Sequence, residues 1–157
     1  MVGNSSRRSL LAAALLGIVV PRLVAPGSVA ADTTRKGEDR AMRIRLHFSG
    51  HVFTALLDDT PSSRDLLSML PLTLTVDDYS TNEKIAYLPR KLTEEGSGPF
   101  GNEAAGDLCY YAPWGNLALF HAGYRYSRGL IRLGRLEGGT GPLLTRGSFP
   151  LGVERVE

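Results

Sequence analysis

Residues Gly106–Tyr126 read GDLCYYAPWGNLALFHAGYRY. The stretch holds the chain's only Trp, its only Cys, one of three His and four of six Tyr. Two apolar runs, Leu108–Ala112 and Leu117–Ala122, flank the punctuation Pro113-Trp114-Gly115-Asn116. Pro presets φ for the second position of a turn, and Gly suits the fourth. The runs are aromatic and aliphatic and too short for typical helices. They predict two antiparallel strands joined by a tight loop. Both alternating positions are apolar, which predicts strands covered on both faces.

Working outward, Met42–Phe48 alternates strictly, with Met42, Ile44, Leu46 and Phe48 on one face. Ser49-Gly50 is a two-residue hairpin signal. That turn pairs Phe48 with His51, Leu46 with Phe53, Ile44 with Ala55 and Met42 with Leu57. A one-residue slip would set arginines against the apolar face. The same register puts His47 and His51 on opposite faces, so they do not form a metal pair. There is no HxxxH helix and no cysteine cluster, and nothing points to a metal or a cofactor. Asp58-Asp59-Thr60-Pro61 reads as a helix start, with Asp59 or Thr60 as cap and Pro61 at the first helical position. Leu66, Leu67, Met69 and Leu70 give this helix an apolar face over one barrel end, and Pro71 stops it. Capping also accounts for Asp58 and Asp59, which otherwise suggest paired catalytic carboxylates.

Leu72–Asp78 alternates again, Glu83–Leu88 is a short strand ending at Pro89, and Leu130–Leu136 and Leu151–Val156 are further strands. Lys91–Ala105, rich in Gly and acids, is a long surface loop and a candidate flap over a site. Gly138–Gly141 is a turn that lacks a phosphate-loop pattern. Many short strands and one capped helix predict a mainly β fold: a small closed or nearly closed barrel with one or two short helices.

The first forty residues differ in kind. Ser6-Arg7-Arg8-Ser9-Leu10-Leu11 is a twin-arginine pattern, and the apolar run Leu10–Val20 has the length of a signal h-region. Small-residue cleavage sites end at Ala30 and Ala31. The expectation is a signal peptide over residues 1–31, a polar linker over 32–41 and one domain over 42–157, exported to the periplasm or the exterior with no stable membrane anchor. An ordinary secretory signal is the alternative route. The full chain has 157 residues and a net charge of +2. Arg7, Arg8 and Arg22 precede the first acid, and without them 15 bases face 16 acids. A near-neutral domain has no global field to recruit nucleic acid or anionic lipid. The single Cys109 lies in an apolar strand and reads as a buried structural thiol.

The phrases LPLTLTVDDY, EKIAYLP, GDLCYYAPWGNLALF and GLIRLGRLEGG, in that order and spacing, resemble the small bacterial cyclophilin-like fold family. The resemblance runs from about Met42 to the C-terminus. It implies a cyclophilin-like barrel and brings prolyl isomerisation into view, because a cation beside the prolyl amide can lower the X–Pro barrier of about 18–20 kcal/mol. True cyclophilins carry an FHR segment. This chain has Phe120-His121-Ala122, with no Arg after the His. Some relatives are joined to flavodoxin-like domains, which implies an accessory role beside redox proteins.

The remaining chemistry clusters around the central hairpin. Trp114, His121, Tyr124, Arg125, Tyr126 and Arg128 supply aromatic faces, donors and cations, with Glu83, Tyr87 and Arg90 from the preceding strand. Such a set suits a planar or anionic ligand, Arg binding a carboxylate or phosphate bidentately. The competing reading makes Trp114 and Tyr87 core residues and Arg125 and Arg128 solvated loop charges. No GxSxG elbow supports a hydrolase. The leading expectation is an exported, non-catalytic module that binds a small ligand or peptide. The alternatives are a peptidyl-prolyl isomerase using Arg90 or Arg125, and an accessory subunit of an exported redox enzyme.

Overall fold

Ser49 and Gly50 both take positive φ, 48° and 77°. A two-residue primed turn demands this, and it sets the register of the first hairpin. The computed structural model describes residues 41–157, and in it β1 (Arg43–Phe48) pairs with β2 (His51–Leu57). Phe48 faces His51, Leu46 faces Phe53 and Ile44 faces Ala55, as the alternation predicts. His47 pairs with Val52, so the two His lie on opposite faces. The stretch 1–31 expected to be a signal peptide, and nearly all of the expected linker, lie outside the described residues.

Helix α1 (Pro61–Met69) follows. Thr60 is its cap, accepting from the Ser63 N–H, and Pro61 occupies the first turn. Asp59 instead pairs with Arg64 at 2.7 Å. Leu66 and Leu67 are buried in the barrel core. Burying a side chain of that size contributes about 1.5–3 kcal/mol relative to leaving it exposed. The remaining strands are β3 (Leu72–Tyr79), β4 (Glu83–Tyr87), β5 (Asp107–Tyr111), β6 (Asn116–Phe120), β7 (Leu130–Glu137) and β8 (Phe149–Arg155). They close an eight-stranded antiparallel barrel in the order β1-β2-β7-β5-β6-β4-β3-β8. The Gly-rich turn after β7 runs into a 3-10 turn, Gly141–Leu144, whose Leu143 is buried. Four residues are too few to show a helical period in the sequence.

Strand β7 carries a bulge. Leu108 faces Gly134 but Cys109 faces Arg132, so Leu133 is extra. Its freed carbonyl accepts from the Asp58 N–H at 2.8 Å and the Ser63 hydroxyl at 3.0 Å. The bulge thereby fastens the helix start to the barrel.

The central hairpin is covered on both faces, as its doubly apolar strands predict. Leu108, Tyr110, Leu117 and Leu119 enter the barrel core. Cys109, Ala118 and Phe120 face outward and join Leu130 in a second cluster, overlaid by Phe100, Tyr111, Tyr124 and Tyr126. Lys84 is the exception inside the barrel. Its fully buried side chain donates to Asp78 at 2.7 Å, and these two residues are direct cross-strand partners.

Candidate functional site

The turn between β5 and β6 fixes the site. Gly115, at φ 73°, and Trp114 both donate backbone N–H groups to the Tyr111 carbonyl. The tight reversal throws the Trp114 side chain onto the barrel's outer flank, where it is 47% exposed. Its ring meets Tyr79 and Tyr111 edge-to-face, with both centroid distances 5.4 Å. Strand alternation then sets the floor. On β4 Glu83 and Ile85 face outward, and on β6 Asn116, Ala118 and Phe120 do. Tyr124 lies flat on Phe120, with ring centroids 3.6 Å apart and an interplanar angle of 8°. Between these walls runs a trough of about 330 Å³, with Ala118 on its floor and Arg125 at its rim.

Asn82, Glu83, Asn116, Arg125 and Ser127 bring polar groups to the trough. Glu83 makes no hydrogen bond or ion pair among the described residues, and burial pushes its carboxyl up to about 7. Tyr124 donates its hydroxyl proton to Asp107 at 2.7 Å. Burial first, and then that bond, raise the Tyr124 pKa. Asp107 also accepts from Arg135 at 2.6 Å and from the Ala104 N–H at 3.0 Å. Cys109 lies 3.6 Å from the Tyr124 hydroxyl, and burial pushes its thiol up to about 12. Both shifts disfavour the anion that a nucleophile needs. Asn116 is 1% exposed and donates to the Leu117 carbonyl, while its Oδ1 has no partner among the described residues.

Trp114, Tyr124 and Arg125 converge on the trough, and Glu83 joins them. Tyr87 shares the outward face of β4 but lies beyond the trough, 55% exposed. Trp114 and Tyr87 are therefore not core residues. His121 does not line the trough. Burial first, and then the Lys84 and Arg146 charges, lower its pKa. Arg90 is engaged elsewhere: it grips Asp65 of α1 with two bonds of 2.6 and 3.1 Å. That grip lowers the Asp65 pKa and raises that of Arg90. Tyr126 packs on Phe100, and Arg128 borders a different depression. The loop expected to act as a flap contributes no residue to the trough. It is tied down instead, with Leu92 buried and its N–H donated to the Tyr110 hydroxyl at 3.1 Å.

Sequence reading missed Asn116, Ala118, Ile85, Tyr79 and Tyr111 as lining residues. Outward alternation along β4 and β6 is the signal that finds most of them, once the barrel's inside is known. Asn116 was masked by its place in a turn-like phrase.

The cyclophilin-like family model matches residues 46–154. The solution structure of the hypothetical protein AF2241 from Archaeoglobus fulgidus superposes with a TM-score of 0.63 at 20% identity, covering 74% of this chain and 95% of that one. That likeness is one of fold. No curated protein matches the chain.

Proposed function

The chain belongs to the cyclophilin-like family, and on that premise we propose that it is an exported, non-catalytic domain whose outer trough binds a small planar ligand or a peptide segment. The observation that carries this reading is the exposed Trp114, held edge-on by two tyrosines above a trough that also gathers Tyr124 and Arg125. Exposed aromatic walls around a concave site are a usual feature of a ligand pocket. The raised thiol of Cys109 and the raised phenol of Tyr124 argue against either acting as a covalent nucleophile.

A second reading, prolyl isomerisation, is favoured by one observation: Arg125 borders an aromatic-lined concavity. One variant serves both readings. Emission from Trp114, the chain's only Trp, reports ligand entry directly. A panel of aromatic acids, amides and short peptides is expected to give a saturable change. Arg125→Ala is expected to weaken binding while leaving stability within about ±0.5 kcal/mol, because the side chain is exposed and has no ion pair among the described residues. A ligand bound equally well by Arg125→Ala would remove Arg125 from the site. In a protease-coupled prolyl peptide assay the parent is expected to be inactive. Activity that saturates with peptide and falls in Arg125→Ala would establish the isomerase instead.

The export half of the proposal rests on the twin-arginine pattern and the short apolar run. Sequencing of secreted protein is expected to find an N-terminus near Ala31 or Asp32. Recovery of only full-length cytoplasmic protein would refute export.

A further inference from the structure

We propose that the trough takes a dipolar aromatic ligand, its ammonium group met by Glu83 and its carboxylate by Arg125: an aromatic amino acid, free or in a short peptide. The inference rests on the reading of the trough as a ligand pocket and names the chemistry of what enters it.

Among the described residues that line the trough, Glu83 is the only acid and Arg125 the only base. Neither side chain is in an ion pair among the described residues, with the other or elsewhere. Strand pairing places the acid. Glu83 faces Tyr79 of β3 and Phe120 of β6 directly across the ladder. Side chains so opposed have Cβ atoms about 4.5–5.5 Å apart. The half-buried carboxyl therefore stands between two aromatic neighbours. It has lost water without gaining a protein donor, and burial is what pushes it up to about 7. A ligand ammonium supplies the missing donors and charge, and ring faces beside it add cation–π attraction.

The loop after β6 places the base. Tyr124 lies flat on Phe120 and donates its hydroxyl proton to Asp107, which fixes the chain at this point. Arg125 is the next residue, exposed at the rim. Glu103, which its own backbone N–H and that of Tyr126 hold below the usual carboxylate range, feels the Arg125 charge but makes no ion pair with it. The guanidinium is left open to grip a carboxylate with two bonds. Both charges thus belong to the surroundings of the Phe120–Tyr124 stack, and Trp114 offers its ring to the ligand's body. An anion alone would leave Glu83 unmatched, and a cation alone would leave Arg125 unmatched. A dipolar ligand matches both.

Phenylalanine, phenethylammonium and hydrocinnamate share one aromatic body. The second lacks the carboxylate and the third lacks the ammonium, and Trp114 emission follows all three. At about pH 8 the Glu83 carboxyl is mostly ionised. Phenylalanine is expected to bind saturably, and each analogue at least about tenfold more weakly. Glu83→Gln is expected to weaken phenylalanine and phenethylammonium about tenfold and to spare hydrocinnamate. Arg125→Ala is expected to weaken phenylalanine and hydrocinnamate and to spare phenethylammonium. A general disturbance of the trough would not give this crossed pattern. If Glu83→Gln does not fold, the three ligands on the parent and on Arg125→Ala decide. Phenylalanylglycine sets the two charges further apart, so its affinity against that of phenylalanine separates a short peptide from a free amino acid as the source. Either analogue binding the parent as tightly as phenylalanine would overturn the dipolar assignment and leave the pocket reading intact. So would a phenylalanine affinity unchanged in either variant. If none of the three binds while another member of the wider panel does, this proposal alone falls. Silence across the whole panel would overturn the pocket reading as well.

Discussion

Lys84→Ala is expected to lower the unfolding free energy by about 3–5 kcal/mol, the usual cost of removing one partner of a buried ion pair. The Lys84 side chain is 0% exposed, and its Nζ donates to Asp78 Oδ1 at 2.7 Å. The same ammonium lies 5.6 and 5.7 Å from the ring centroids of Phe48 and Phe149. Truncation removes the charge, both ring contacts and the volume of the stem. Asp78 is then left with the Gly147 N–H at 2.7 Å and Arg146 at 3.4 Å. Lys84→Met separates these contributions, since it keeps the stem and loses the charge, and its loss is expected to be the smaller. Burial alone would raise the Asp78 pKa, but Lys84, the Gly147 N–H and Arg146 together outweigh it and lower it. A carboxyl lowered in the folded state stabilises above its unfolded pKa of about 4 and loses that contribution as pH falls through the folded value. Urea unfolding at neutral pH and again near about pH 3 checks both statements. A loss under about 1 kcal/mol for Lys84→Ala would mean that Gly147 and Arg146 satisfy Asp78 without help.

Lys84 also marks where sequence reading stopped. Strand β4 reads EKIAY, and a lysine there looks like a solvated residue. Only closure of the barrel shows that position 84 points inward and faces Asp78 across the ladder. The alternating strands were legible because one apolar face leaves little choice of register, as in Met42–Phe48. The hairpin at Trp114 was legible because Pro and Gly have restricted uses. From there the cluster of aromatic and cationic residues led to Trp114, Tyr124 and Arg125. Nearness in sequence does not bring His121 or Arg90 to the trough. His121 lies just past the end of β6. Arg90 is claimed by Asp65, a helix residue 25 positions away. Asn116 was read as turn punctuation, yet it is the first residue of β6 and fully covered. The trough is assembled from β3 to β7, with Trp114 on the turn before β6 and Tyr124 and Arg125 on the loop after it, so no local phrase contains it.

Gly134→Ala is expected to destabilise by about 3 kcal/mol or more, at the upper end of overpacking, because the clash is with backbone. A Cβ at Gly134 would run into the Leu56 carbonyl oxygen and come within 2.7 Å of Leu57 Cα and 2.9 Å of Leu56 C. These atoms belong to β2, which pairs with β7 at this point through Leu57 and Gly134. Relief requires the two strands to part where the bulge also holds the start of α1 through the Leu133 carbonyl. The next residue, Arg135, bonds Asp107, and Asp107 accepts from Tyr124 at the trough. A shift here is therefore expected to change Trp114 emission in the folded state as well as the unfolding midpoint. Gly152 supplies the control. A Cβ there would also clash, but with the ring of His47, whose side chain is 48% exposed and free to turn aside. Neither glycine has the positive φ that would strain an alanine. Gly152→Ala is expected to stay within about 1 kcal/mol of the parent, helped by the smaller entropy of its unfolded chain. Equal losses for the two variants would mean that what matters is the bare loss of glycine in a strand, and the backbone contact between β2 and β7 would no longer explain why position 134 has no side chain.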